Sequence, residues 1–367
     1  MQSSTVKKVA KFALRVCLPV LVLLAVVYFL GGNLKKDWEQ LASARFQLHI
    51  WLLALAFLGF LLQELSYGII WRGVLGRLGY RLDLRASLRI YLASEFVRYI
   101  PGNVWHVLTR ILWVGKYGIP RPVAFASMVV ELITKLASAA LIFAASLLFW
   151  GNIAALNGLL KGYSVLLVAV GIASILGLLV ILHPRVLNGL LNVALRTLKR
   201  DPVILTLRYV DILQVTLAWC VSWLIAGSAF YLLILALGVN APLATLPICI
   251  GIYAIIWDIG FLSFITPSGL GFREGVAVVL LVPALSLAAA PATVIAILSR
   301  LVSTVAELLC VSLAYISGGR QVRSIQQEQS ADQPPMPEKR LSAKQEAHIP
   351  LSDVPAPIPV EKGVASD

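Results

Sequence analysis

Residues 245–274 read TLPICIGIYAIIWDIGFLSFITPSGLGFRE. The first twenty or so are almost all apolar, the length that crosses a hydrocarbon core of about 30 Å as a helix. Asp258 lies alone inside that run. The run ends at Thr266-Pro267-Ser268-Gly269, after which Gly271-Phe272-Arg273-Glu274 opens a new helical pattern. Proline removes a backbone donor and clashes with the preceding turn. Glycine permits the reversed backbone of a tight turn. In lipid such a break is tolerated only where protein or water satisfies the freed backbone groups. The stretch therefore reads as a membrane helix broken inside a helix bundle.

The rest of the chain agrees. Of its 367 residues 59% are hydrophobic and 13% charged, with a mean hydropathy of +0.86. An ordinary soluble domain carries about a quarter charged residues, so the apolar excess must face lipid. Runs near 20 residues, without the ~10-residue alternation of barrel strands, select helices. The expected fold is all-α: a polytopic membrane helix bundle. Full spans are expected at 16–30, 50–71, 122–150, 163–183, 211–239 and 291–316, six in all. The first resembles a signal peptide, but no small-residue cleavage site follows, so an uncleaved span is expected. The integral membrane domain is taken as 1–317, and 318–367, rich in Pro, Gln, Ser and charge, as a disordered cytoplasmic tail.

The net charge is +13, and it lies in the apolar body rather than in the tail. Here it sets topology and attracts anionic headgroups; nucleic acid is not an expected partner. The N-terminus, 72–85 and 184–210 are basic, and 184–210 reads as an amphipathic surface segment. Six spans place all three on one side, the cytoplasm, together with both termini, provided that 86–114 and 245–285 each enter and leave on one face. Each is either a re-entrant hairpin or a pair of full spans.

The first of these two elements is also broken: Glu95 and Arg98 precede Pro101-Gly102-Asn103, and Arg110 follows. The two breaks share an aromatic approach, Pro, a small residue and a resumed helix with Arg, as an inverted repeat would give. Helix N-termini opening after Gly102 and Gly269 would aim partial positive charge at an anionic group. Charges inside apolar runs cost several kcal/mol unless paired or hydrated. Glu131 and Lys135, four apart, share a helix face and can pair. Ser127, Thr134 and Ser138 extend that face. Arg300, Thr304 and Glu307 form a stripe on the last span. Glu64 and Asp258 stand singly. The candidate lipid-binding residues are therefore Glu95, Arg98, Pro101, Gly102, Asn103, Arg110, Glu131, Lys135, Asp258, Pro267, Gly269, Gly271, Arg273, Glu274, Arg300 and Glu307. The plainer alternative is structural ion pairing.

The block Pro267-Ser268-Gly269-Leu270-Gly271-Phe272-Arg273-Glu274 resembles the P-x-G-x-G-x-x-E signature of the lysylphosphatidylglycerol synthase transmembrane region family, flippase-like membrane proteins. Tyr99-Ile100-Pro101-Gly102-Asn103-Val104-Trp105 is similar to its other recurring segment, and Arg300 and Lys35-Lys36-Asp37-Trp38 also match. The resemblance covers about 10–317. It implies an inner-membrane protein with re-entrant helices that moves or accommodates a lipid. The soluble aminoacyl-transferase domain of the best-known members does not follow residue 316, so synthase activity is not carried over.

No P-loop, nucleophile elbow or zinc-protease motif occurs, and the cysteines and histidines are not at metal-ligand spacing. A non-enzyme without cofactor or metal is expected. The leading expectation is lipid translocation or lipid handling. The alternatives are an accessory subunit presenting lipid to a separate transferase, and an intramembrane headgroup enzyme. Expected partners are membrane lipids with anionic headgroups, with a transferase and a second copy of the chain as candidate protein partners.

Overall fold

The computed structural model describes residues 47–95, 105–150, 164–197, 207–263, 269 and 271–331. Among these there is no strand. The helices are α1 (Ile50–Arg77), α2 (Leu84–Glu95), α3 (Trp105–Gly115), α4 (Arg121–Trp150), α5 (Ser164–Ile181), α6 (Pro184–Thr197), α7 (Tyr209–Ala236), α8 (Leu246–Leu262), α9 (Phe272–Leu285) and α10 (Ala289–Ala331). Five stretches are long and apolar enough to cross a membrane: Ile50–Arg77, Arg121–Trp150, Tyr209–Ala236, Leu243–Leu262 and Ala289–Tyr315; the bent α5–α6 pair makes a sixth if it is one span. The expected first span, 16–30, lies outside the described residues.

A helix satisfies its backbone internally, which is why apolar runs in lipid adopt it. The sorting of side chains then fixes packing. On α1, Trp51, Leu55, Leu58, Leu62, Leu65 and Ile69 recur every three or four residues and are exposed, a stripe that meets lipid. The opposite face, Ala56, Phe60, Tyr67, Trp71 and Val74, is buried against α7 and α2. Close crossings use small residues, the usual device where no water drives helices together. A Cβ at Gly227 of α7 would stand 2.8 Å from Ile250 Cβ on α8, and one at Gly59 of α1 2.7 Å from Ala229 Cβ on α7. Gly227→Leu should therefore push α7 and α8 apart, cost at least about 1–3 kcal/mol, and reduce the monodisperse fraction of detergent extracts. Gly275→Leu on α9, with nothing near the added side chain, should not.

The two broken elements differ. At 12 and 11 residues, α2 and α3 are each about 16–18 Å long, too short for a span. Arg110 Nε donates to Ser94 Oγ at 3.0 Å and Arg89 Nη2 to Tyr117 Oη at 3.0 Å. Partners that recede in α2 as they advance in α3 make the pair antiparallel. Residues 86–114 thus hold two short antiparallel helices, neither long enough for a full span, and 96–104 lies outside the described residues. In the second element α8, with its preceding 3-10 turn Leu243–Thr245, has span length, whereas α9 has 14 residues, about 21 Å. The chain turns by 68° between α5 and α6. The helical run of α10 continues past 316 to Ala331, into the segment read from sequence as tail: no proline occurs between Pro291 and Pro334, and Gln, Arg and Glu are good helix formers. The chain divides into the units Met1–Arg320 and Gln321–Asp367; residues 332–367 lie outside the described part.

Among the described residues the apolar core has a small cluster at Leu92, Cys310 and Ala314 and two main parts. One joins Ala56 and Phe60 of α1 to the second half of α7, α8, α9 and α10. The other joins Tyr67–Leu75 of α1 to α2, α3, the first half of α4, α6 and the first half of α7. Buried polar residues lie between them, at the midpoints of the long helices: Gln63 and Glu64 in α1, Lys135 in α4, Ser222 in α7, and Arg300 near the middle of the apolar part of α10. Helices of this length put their midpoints at the level farthest from water.

Candidate functional site

Arg110 is the centre of this polar layer. Only 2% exposed, its guanidinium donates from Nη1 to Glu131 Oε2 at 2.7 Å, from Nη2 to Glu95 Oε1 at 2.5 Å and from Nε to Ser94 Oγ. The Tyr91 ring lies 3.8 Å beneath it and Trp71 5.3 Å away. Tyr91 Oη donates to Glu131 Oε1 at 2.6 Å. Charge-assisted bonds of this kind are strong, and with two carboxylates for one guanidinium the cluster is saturated. It locks the hairpin α2–α3 to α4. The site residues Glu95, Arg110 and Glu131 are therefore brought together, and their first task is to hold one another.

Lys135 shares a face with Glu131, as its spacing predicts. Its Nζ sits among aromatic rings: 3.7 Å from Tyr67, 3.9 Å from Trp257 and 4.9 Å from Trp219. Cation–π attraction strengthens when water is excluded. The hydroxyls of the same stripe serve packing. Ser127 Oγ accepts from Trp71 Nε1 at 3.2 Å and Ser138 Oγ from Trp223 Nε1 at 2.9 Å, while Thr134 bonds back to its own helix.

The second break is built on two glycines with positive φ, Gly269 at +68° and Gly271 at +85°. A Cβ on Gly269 would also overlap the Gly260 backbone of α8, so the turn is pressed onto that helix. The open helix N-terminus expected there as an anion site is not free. Glu274 Oε2 accepts from Gly271 N–H at 2.7 Å, satisfying an orphan donor of α9 with the chain's own carboxylate. Its other oxygen lies 3.3 Å from Arg300 Nη1, within ion-pair range but outside hydrogen-bond geometry. Glu274 and Arg300, 3% and 7% exposed, thus tie α9 to α10. Glu274→Ala should remove one carboxylate from Arg300 and uncap α9, lowering the amount of folded protein in the membrane; Glu274→Gln should retain more of it. The readout is immunoblotting of membranes beside melting in detergent.

Arg273 behaves differently. It is half-buried, its stem lies along Gly260, where a Cβ would come within 3.3 Å, and its guanidinium carbon is 5.3 Å from the Tyr253 ring. Its Nη2 is buried with no hydrogen-bond partner among the described residues. It borders two cavities. The outer one, about 270 Å³, is lined by Glu95, His106, Arg110, Glu131, Lys135 and Arg273 together with apolar Val107, Met128, Leu132 and Phe261. Leu132, on its wall, is exposed. The inner one, about 20 Å³, is polar and lined by Glu64, Arg300, Thr304 and Glu307 among others.

A scan against family models matches the Lysylphosphatidylglycerol synthase TM region over residues 16–310. The chain belongs to that family. None of the curated proteins matches it. Family membership agrees with the resemblance carried by the second break and relates the chain to membrane lipids.

Of the remaining candidates, Asp258 is buried on α8 with Oδ1 lacking a hydrogen-bond partner among the described residues, and it borders neither cavity. Arg98, Pro101, Gly102, Asn103 and Pro267 lie outside the described residues. The aromatic walls, Tyr67, Tyr91, Trp219, Tyr253 and Trp257, are missing from the sequence-derived set. A signal exists: Tyr67–Trp71, Trp219–Trp223 and Tyr253–Trp257 are each four apart, placing an aromatic pair on one face of three helices.

Proposed function

We propose that the chain moves lipids with anionic headgroups across the bacterial inner membrane, as a flippase-like protein without chemistry of its own. One observation carries this reading: a midplane cavity, apolar on part of its wall, ends on Arg273, whose Nη2 has no hydrogen-bond partner among the described residues. A lipid has the same division, with acyl chains beside a phosphate. Along the wall Arg110, Lys135 and Arg273 outnumber Glu95 and Glu131, and guanidinium suits phosphate. Polar and ionisable side chains at membrane depth mark transport paths. The basic segments support a cytoplasmic N-terminus and C-terminal tail.

The test is reconstitution into vesicles carrying fluorescent phosphatidylglycerol, with a membrane-impermeant quencher reporting transbilayer movement. The protein should accelerate movement over empty vesicles. If no glycerophospholipid or lipid-linked sugar moves faster, the reading fails. Lipid bound without movement would instead favour an accessory subunit that presents lipid to a transferase.

A further inference from the structure

The inner cavity has room for about one water. Its charged groups come from three helices: Glu64 of α1, Arg273 of α9, and Arg300 and Glu307 of α10, with Gln63, Tyr67, Tyr253, Ser303 and Thr304 completing the wall. Glu274 faces it from behind Arg300. Cys310 lies one turn beyond Glu307, near enough to both Glu64 and Glu307 to feel their charge. Lys135 stands behind the rings of Tyr67 and Trp257. Three carboxylates, Glu64, Glu274 and Glu307, thus face two guanidinium groups, Arg273 and Arg300. Arg273 and Trp257 are also the two residues that border both cavities.

Resting on the lipid reading above, we propose that the inner cavity is a proton site coupled to headgroup binding through Arg273. A phosphate in the outer cavity draws the Arg273 guanidinium toward itself. That leaves three carboxylates facing Arg300 alone, at a depth where uncompensated charge is costly. One carboxylate of the Glu64–Glu307 pair then takes up a proton from bulk water and becomes a neutral carboxylic acid, restoring the balance. Release of the lipid returns Arg273 and expels the proton. Removing a nearby positive charge favours the protonated form of a carboxylate. By linkage, lower pH must then tighten lipid binding to the same degree that lipid promotes proton uptake. A transbilayer proton gradient would in this way give lipid movement a direction.

The experiment uses the full chain in nanodiscs of zwitterionic lipid, titrated with water-soluble short-chain phosphatidylglycerol and followed by tryptophan fluorescence. Between about pH 8 and about pH 5, Kd should fall by up to about tenfold per pH unit over the linked range, the slope for one coupled proton. In weakly buffered solution binding should alkalinise the medium, approaching one proton per lipid. Glu64→Gln with Glu307→Gln should flatten the slope and abolish the uptake. Equal affinity across the range without proton uptake overturns the coupling and leaves the lipid reading intact. No binding at any pH overturns both. His106, on the outer wall, and Asp258, buried on α8, are further groups that can exchange a proton. Loss of the slope in His106→Gln or in Asp258→Asn, with retention in the double glutamine variant, also overturns the proposal.

Discussion

Arg110→Ala should remove most of the folded protein from the membrane. The guanidinium pairs with both Glu95 and Glu131, and all of its nitrogens are used. Without it two carboxylates remain buried side by side with no cation in hydrogen-bond contact. Breaking a buried ion pair by removing one partner costs about 3–5 kcal/mol, and here one cation serves two anions. The loss falls on the joint between hairpin α2–α3 and α4, so the hairpin should detach first. Protease accessibility at the α3–α4 connection, 116–120, should rise together with a fall in melting temperature. Removing all three charges is the informative rescue. Arg110→Met with Glu95→Gln and Glu131→Gln leaves no uncompensated charge and should recover accumulation. If Arg110→Ala alone accumulates and melts like the parent, the cluster does not hold the fold.

Arg273→Gln should have the opposite profile: normal accumulation with lipid movement at the background of empty vesicles. The side chain is half-buried, no salt bridge among the described residues uses it, and under the proton-site proposal uptake of one proton by Glu64 or Glu307 offsets the charge lost from the inner cavity. What it supplies is charge at the wall shared by the two cavities. Arg273→Lys should retain partial movement, because a point charge attracts phosphate but lacks the bidentate fork. The neighbouring positions separate the roles further, since Glu274 and Arg300 join α9 to α10 while Arg273 borders both cavities. Loss of protein in Arg273→Gln would instead assign the residue to the scaffold.

The long spans were legible because lipid demands about 20 apolar residues for each, a requirement that packing cannot override. The hairpin at 86–114 was legible as an interruption, but its form depended on which residues of α2 bond to which of α3. The polar layer was half legible. Glu131 and Lys135 do share a face, yet Glu131 is held by Arg110, a partner from a preceding helix that helical spacing cannot reveal. Lys135 is wrapped by rings from α1, α7 and α8, which meet only in the folded bundle. Glu274 shows a motif with a structural role that the sequence reading did not include. Its position three residues after Gly271 is a helix-capping arrangement, and it closes the N-terminus that the sequence offered as an anion site. At Gly269 the sequence suggested a reversed backbone, and the structure adds a second reason for glycine, contact with Gly260. Along α10 the apolar pattern ended at 316 while helix-forming residues carried the helix to Ala331.

The most direct test of the headgroup site places a photoreactive residue at Leu132, on the cavity wall, and for comparison at Leu62, on the lipid-facing stripe of α1. After irradiation in native membranes, the cross-linked lipids are identified by mass. The cavity position should yield phospholipid adducts enriched in anionic headgroups relative to the Leu62 position, and Arg273→Gln should remove the enrichment. Identical lipid profiles at the two positions, or an enrichment that survives Arg273→Gln, would contradict the account.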